Sequence, residues 1–230
     1  MARLFVLESP WEQDVRSALS VGPFLAGLKE ALRVDVVSQR FNGKEDLVFY
    51  LREFSRRSSE FSHCYIACHG TPGRLEPLLD PKINIGTIAD ACRGSRSRGF
   101  IMGACSFGNH RTATRFLTRT GASFVAGYAA DVPWMESMLV DLTFLTYLLG
   151  GRCRRRKGAD SKPFVVDRHG NYREERTGNP LTVAGWVYED LPLARKLGFV
   201  VHRRRPGKGP VVIDPYPSAR HQQRTKGSRL

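Results

Sequence analysis

The 230-residue chain predicts an α/β fold, a three-layer sandwich with a mostly parallel central sheet and helices on both faces. Two observations predict it. Five short runs are apolar almost throughout (RLFVLE at 3–8, VDVVS at 34–38, HCYIA at 63–67, GFIMGA at 99–104, SFVAGY at 123–128), as strands buried on both faces are. Between them lie segments whose apolar residues recur at helical spacing, and alternation of strand with helix builds parallel sheets. Composition agrees: 41% hydrophobic and 25% charged residues suit a folded globular chain and exclude wholesale disorder.

Each element has its own warrant. The first strand stops at Ser9-Pro10. From Val21 to Leu32, Phe24, Leu25, Leu28 and Leu32 form a helical stripe, and Leu47, Tyr50, Leu51 and Phe54 do so between Lys44 and Phe54. The third strand ends at Cys68-His69-Gly70, and the Pro/Gly-rich segment 71–85 reads as a short excursion or hairpin. A helical turn follows at Thr87–Cys92, then the fourth strand ending at Cys105. A helix near Arg111–Thr118, the fifth strand and a long helix at Trp134–Leu149 complete the series. Beyond residue 150, Pro163–Asp167 and Leu181–Tyr188 read as strands, Leu191–Leu197 as a helix capped by Gly198, and Phe199–His202 as a short apolar run. The expected organisation is a catalytic domain over 1–150, a basic extension of the same domain over 151–203, and a disordered basic tail over 204–230.

Charge divides the chain unequally. Residues 1–150 carry 17 basic and 15 acidic side chains, whereas 151–230 carry 19 and 7. The excess lies in Arg152–Lys157, in Arg203, Arg204 and Arg205, and in the final ten residues. Such runs draw phosphate by counterion release, so non-specific nucleic acid is an expected partner class of the last third. That region carries neither a zinc-finger nor an RNP-like pattern, and no interleaved aromatics for base stacking. The apolar N-terminal run is followed by acids and Trp11, reading as a strand and not as an export signal. No stretch reaches the roughly 18 apolar residues of a membrane span. Five cysteines, sparse and odd in number, suggest free thiols in a reducing cytoplasm. With no Cys-x-x-Cys and no close His pair, neither a metal site nor a cofactor is expected.

Functional groups of a doubly wound sheet gather at the carboxyl ends of its strands. Two of those ends carry reactive side chains, His69 and Cys105. Adjacent parallel strands lie about 4.8 Å apart, so neighbours would project the imidazole and the thiol into one cleft. This is a pairing for nucleophilic catalysis, with His69 as base and acid and Cys105 as nucleophile. Gly70, lacking a Cβ, lets its N–H approach a bound carbonyl, and with the Cys105 N–H it would form an oxyanion hole. Cys64 and Cys68 read as structural. His110, the rival base, lies past the turn where the next helix opens.

The strand ends YIACHG (65–70) and GFIMGACS (99–106) resemble the His-Gly and Ala-Cys strand ends of the caspase-like, clan CD, cysteine peptidases: caspases, metacaspases, gingipains, separases and CHAT peptidases. GYAADVPWMES (127–137) resembles the segment after the fifth strand in CHAT peptidases, and LFVLESPWEQD resembles the opening of an uncharacterised bacterial single-domain caspase-like family. The likeness covers about residues 1–150. It implies a caspase-hemoglobinase fold, an endopeptidase dyad at His69 and Cys105, a protein or peptide substrate and a regulatory protein partner, with a bacterial stress or defence role. It also implies a specificity pocket built from the loop after the first strand and the segment after the fifth. Glu12, Asp14, Asp131 and Glu136 stand there, so the expected cleavage is after Lys or Arg, with Asp131 the first choice. The alternative reading is a catalytically inactive caspase-like scaffold or a basic nucleic-acid-associated binding protein.

Overall fold

The computed structural model describes residues 3–14, 16–57, 59–80, 82–150, 152–153, 174–175, 179–204 and 210–211. In chain order its elements are β1 (Arg3–Glu8), α1 (Gly22–Leu32), β2 (Asp35–Arg40), α2 (Lys44–Arg56), β3 (His63–Ala67), β4 (Gly70–Thr71), β5 (Arg74–Leu75), β6 (Ile83–Asn84), α3 (Ile85–Ala91), β7 (Gly99–Gly103), α4 (His110–Thr120), β8 (Phe124–Tyr128) and α5 (Trp134–Leu149). β9 (Arg152–Cys153), β10 (Glu174–Glu175), α6 (Pro180–Asp190), α7 (Leu193–Lys196), β11 (Phe199–Arg204) and β12 (Pro210–Val211) follow. One seven-stranded sheet runs in the order β12-β11-β8-β7-β3-β1-β2. From β2 to β8 its strands are parallel, and β11 and β12 add antiparallel at the far edge.

The apolar strands are buried because both sheet faces are covered. Along β1, Leu4 and Val6 enter the cluster shared with Leu25 and Phe144 of α1 and α5, while Phe5 and Leu7 enter the one holding Leu51 and Phe116 of α2 and α4. This alternation sends successive side chains into different layers. Val21 opens α1 without a side-chain cap of its own. Instead the Glu8 carboxylate, at the end of β1, accepts from Val21 N (2.7 Å), Ser20 Oγ (2.8 Å) and Trp11 Nε1 (3.2 Å). A buried acid thus pins the β1–α1 loop to the strand it leaves.

The structure corrects one expected element. Leu181–Tyr188 is helical, within α6, and not a strand. Asn179 caps it by accepting from Leu181 N, Pro180 opens it, and Val183, Ala184 and Val187 are buried at helical spacing. The run that does extend the sheet is Phe199–Arg204, which pairs with β8 after Gly198 takes a left-handed φ of 66° beyond α7. The expected strand at 163–167 lies outside the described residues. So does the 204–230 tail, save Arg204 and β12. The 71–85 excursion is the small antiparallel sheet β4-β5-β6.

Candidate functional site

Two neighbouring strands set the site. β3 and β7 pair in parallel with Ala67 opposite Gly103, and Cys68 N donates to Gly103 O just beyond (3.3 Å). His69 and Cys105 therefore leave equivalent positions on adjacent strands. The approach is closest at Gly70: a Cβ built there would fall 2.9 Å from Cys105 O and 3.0 Å from Ala104 Cβ. Only glycine lets these two strand ends meet.

His69 is exposed, and its Nε2 lies 2.7 Å from the Trp11 carbonyl oxygen. A carbonyl only accepts, so Nε2 carries the hydrogen and the neutral ring presents Nδ1 as its base. The Trp11 indole packs edge-on against the imidazole at 5.2 Å, fixing the ring plane. The main chain of His69 is held as well, since Glu76 N donates to His69 O (2.9 Å). That bond makes His69/Glu76 the hydrogen-bonded pair of the β4–β5 hairpin. The next pair, Gly70/Leu75, is then of the other kind, and the Gly70 N–H turns away from β5.

Cys105 is half-buried, whereas Cys64, Cys68 and Cys92 are buried. Burial pushes the Cys68 thiol up to about 12 and raises those of Cys64 and Cys92, so these three stay neutral and inert. The Cys105 sulfur bonds the segment after β8: Val132 N donates to Sγ at 3.4 Å, and Sγ lies 3.7 Å from Val132 O. Ser106, the following residue, has a φ of 56°. This left-handed backbone is held from three sides: Ser106 N donates to Ala130 O (3.0 Å), Ser106 Oγ to Asp131 Oδ1 (3.0 Å), and Asn109 Nδ2 to Ser106 O. Strain of about 1 kcal/mol persists only where it is over-determined in this way.

The expected specificity residues separate. Glu12 and Asp14 line a cavity of about 280 Å³ beside Trp11, with Glu8, Ser17, Ser20 and Arg40 also in its wall. Asp131 and Glu136 are not among its lining residues: Asp131 is exposed and holds Ser106, and Glu136 sits in the first turn of α5. The two segments expected to form a pocket meet through the Trp11 and Trp134 rings, 6.0 Å apart. His110 opens α4 and faces His202 at 6.3 Å. Of the basic C-terminal side chains, Arg203 donates to Asn179 Oδ1 (3.1 Å) and Arg204 to Gly121 O (2.9 Å). Among the described residues no three His, Cys, Asp or Glu side chains converge as metal ligands, and no helix is long and apolar enough to cross a membrane.

Sequence reasoning missed three contributors: Glu8, the Trp11 carbonyl and the Val132 backbone. Glu8 had a signal, a lone acid closing an apolar strand. The other two act through main-chain atoms, which residue identity does not encode.

No protein-family model and no curated protein matches the sequence. Among solved structures, an inactive zymogen C11 protease from Parabacteroides distasonis aligns with 57% of this chain at 11% identity and a TM-score of 0.39. The alignment spans 49% of that protease chain, about half its length.

Proposed function

We propose that the protein is a cysteine endopeptidase in which His69 and Cys105 form the catalytic dyad. The observation that supports the reading is the junction of the two strand ends at Gly70, one carrying the exposed His69 with its Nε2 on the Trp11 carbonyl and the other the half-buried Cys105. Nδ1 of His69 takes the Cys105 proton, and the sulfur attacks the scissile carbonyl carbon as the carbonyl π electrons move onto oxygen. The Gly70 and Cys105 N–H groups receive that oxyanion; one such donor is typically worth about 3–4 kcal/mol. Nδ1 returns its proton to the departing amine as the C–N bond breaks, leaving a thioester. Water, deprotonated by the same nitrogen, then breaks the C–S bond and frees the acid.

The substrate side chain before the cleaved bond is Lys or Arg. The cavity walled by Glu12 and Asp14 supplies the carboxylates, and Asp131 stands on the opposite segment. A panel of fluorogenic peptides with Arg, Lys, Asp or Leu before the reporter tests this. Arg and Lys peptides are expected to turn over, Asp and Leu peptides at least tenfold more slowly, and Cys105→Ala not at all. The double variant Glu12→Gln/Asp14→Asn is expected to lose about tenfold in kcat/KM on Arg and to keep its residual rate on Leu. Equal turnover of all four peptides would end the specificity assignment, and turnover by Cys105→Ala would end the dyad.

A further inference from the structure

Two buried acids stand outside the reaction above. Asp141, 1% exposed, is taken up by core phenols: its Oδ1 accepts from Tyr128 (2.7 Å) and its Oδ2 from Tyr65 (2.8 Å). Glu8, 7% exposed, leads toward the site instead. It closes β1 opposite Ala67 of β3, and Ser9 N still donates to Ala67 O (2.9 Å), two residues before His69. Beyond Ser9 the chain leaves the sheet and returns at Val21, where α1 opens. Across that excursion, among the described residues, the main-chain bond is a local one, Ser17 N to Asp14 O (2.9 Å). Glu8 ties the loop back. Its Oε1 accepts from Trp11 Nε1 (3.2 Å) and Val21 N (2.7 Å), and its Oε2 from Ser20 Oγ (2.8 Å), whose oxygen in turn accepts from Gly22 N (3.0 Å). One carboxylate thus holds both ends of the excursion. The same Trp11 offers its carbonyl to His69 Nε2 (2.7 Å), and its ring packs against the imidazole at 5.2 Å and Trp134 at 6.0 Å.

We propose that Glu8 is a positioning residue for His69, acting through Trp11: by fixing the indole N–H it fixes the carbonyl that the imidazole meets. The proposal rests on the reading of His69 as the base. A base aimed by a group that never touches substrate governs turnover, because misplacing it slows the chemical step without weakening ground-state binding. Glu8 also lines the cavity of about 280 Å³ that Glu12 and Asp14 line. The three carboxylates divide the work. Glu12 and Asp14 are exposed and stand open to a substrate cation, whereas Glu8 has both oxygens committed to protein donors.

Trp11→Phe tests the link, because it keeps an aromatic ring and the main-chain carbonyl while removing the N–H that Glu8 holds. Nitrogen NMR of protein labelled at histidine reads the ring, with the His69 signals assigned by their loss in His69→Ala. At pH 8.5 the wild-type Nδ1 and Nε2 resonances are expected to stand far apart, as for a single tautomer. Those of Trp11→Phe are expected to draw together as the second tautomer enters. On an arginyl peptide this variant is expected to lose about tenfold or more in kcat, with KM changed less than about twofold. Ring signals that superimpose on the wild type overturn the proposal. Glu8→Gln separates positioning from substrate binding. Its amide oxygen still accepts from Trp11 and Val21 without the charge, so kcat is expected to fall by a smaller factor than in Trp11→Phe, with KM unmoved. A KM raised about tenfold beside wild-type kcat and ring signals would make Glu8 a substrate ligand and overturn the assignment. Should Trp11→Phe not fold, this second variant decides. The ring signals need no peptide substrate. Signals that draw together in a protein without peptidase activity keep the positioning and remove the function, while active enzyme with superimposable signals removes only the positioning.

Discussion

At the residue scale the site depends on absences as much as on groups. Gly70 occupies the seam between two strand ends, where a methyl would press on the Cys105 carbonyl and the Ala104 Cβ at once. Neither neighbour is a flexible side-chain tip, so the backbone itself must yield. Gly70→Ala is therefore expected to cost about 1–3 kcal/mol, read as a lowered urea midpoint. The same variant should slow peptide turnover more than it raises KM, because what moves is the proposed oxyanion donor. His69 and Cys105 were legible in the sequence from their places after apolar runs, and Gly70 from its missing Cβ. The tautomer of His69 was not: it is set by the Trp11 carbonyl, and a main-chain oxygen leaves no trace in the residue pattern. Asp131 has a protein partner that the sequence does not show. Its carboxylate, expected in the pocket, holds Ser106 in its left-handed turn. The Ser106 hydroxyl lies 25 positions back in the chain, a contact made only by the fold.

At the scale of elements, hydrophobic period located the five parallel strands and the helices between them, because each buried element carries its own pattern. It failed at α6, where PLTVAGWVYED is too rich in apolar residues to separate a buried helix from a buried strand. The Asn-Pro start at 179–180 was the overlooked signal. Helix α2 shows how an element depends on a residue remote in sequence. Its last turn is closed by the buried Arg98, which donates to Phe54 O and to Ser55 O (2.9 Å) while its guanidinium stacks 4.6 Å over the Phe54 ring. Arg98→Met leaves those carbonyls without a donor in an apolar setting. It should destabilise the fold by roughly 2–4 kcal/mol in a denaturant titration, with circular dichroism showing loss of helix before loss of strand. An unchanged midpoint would mean that water replaces the guanidinium freely.

For the whole molecule, two buried groups give stability opposite responses to pH. The Asp141 carboxyl titrates near 7 in the native state against about 4 in an unfolded chain. Between those values the native protein holds a proton that the unfolded chain has released, so raising the pH favours unfolding by about 1.4 kcal/mol per pH unit. His63, lowered by burial to about 4, works the other way: from about 6.5 down to 4 the unfolded chain takes up a proton that the native state refuses. The two slopes cancel over most of their range, and Asp141→Asn uncovers the histidine's. The variant should gain on the wild type from pH 4 to 7 and no further above pH 8, measured as urea midpoints. A difference independent of pH would place the carboxyl at its ordinary value. Asp141 itself was readable as the lone acid in the apolar stretch MLVDLTFL, though its partners Tyr65 and Tyr128 come together only through the strand order. The sheet order likewise makes β3 and β7 neighbours, which sets the strand ends of the proposed dyad, 36 positions apart in sequence, side by side. The most direct test of that dyad is intact-mass and peptide-map analysis after treatment with an arginyl acyloxymethyl ketone. One adduct on Cys105, absent in Cys105→Ala and slowed at least a hundredfold in His69→Ala, is the predicted result; no adduct, or labelling indifferent to His69, would contradict it.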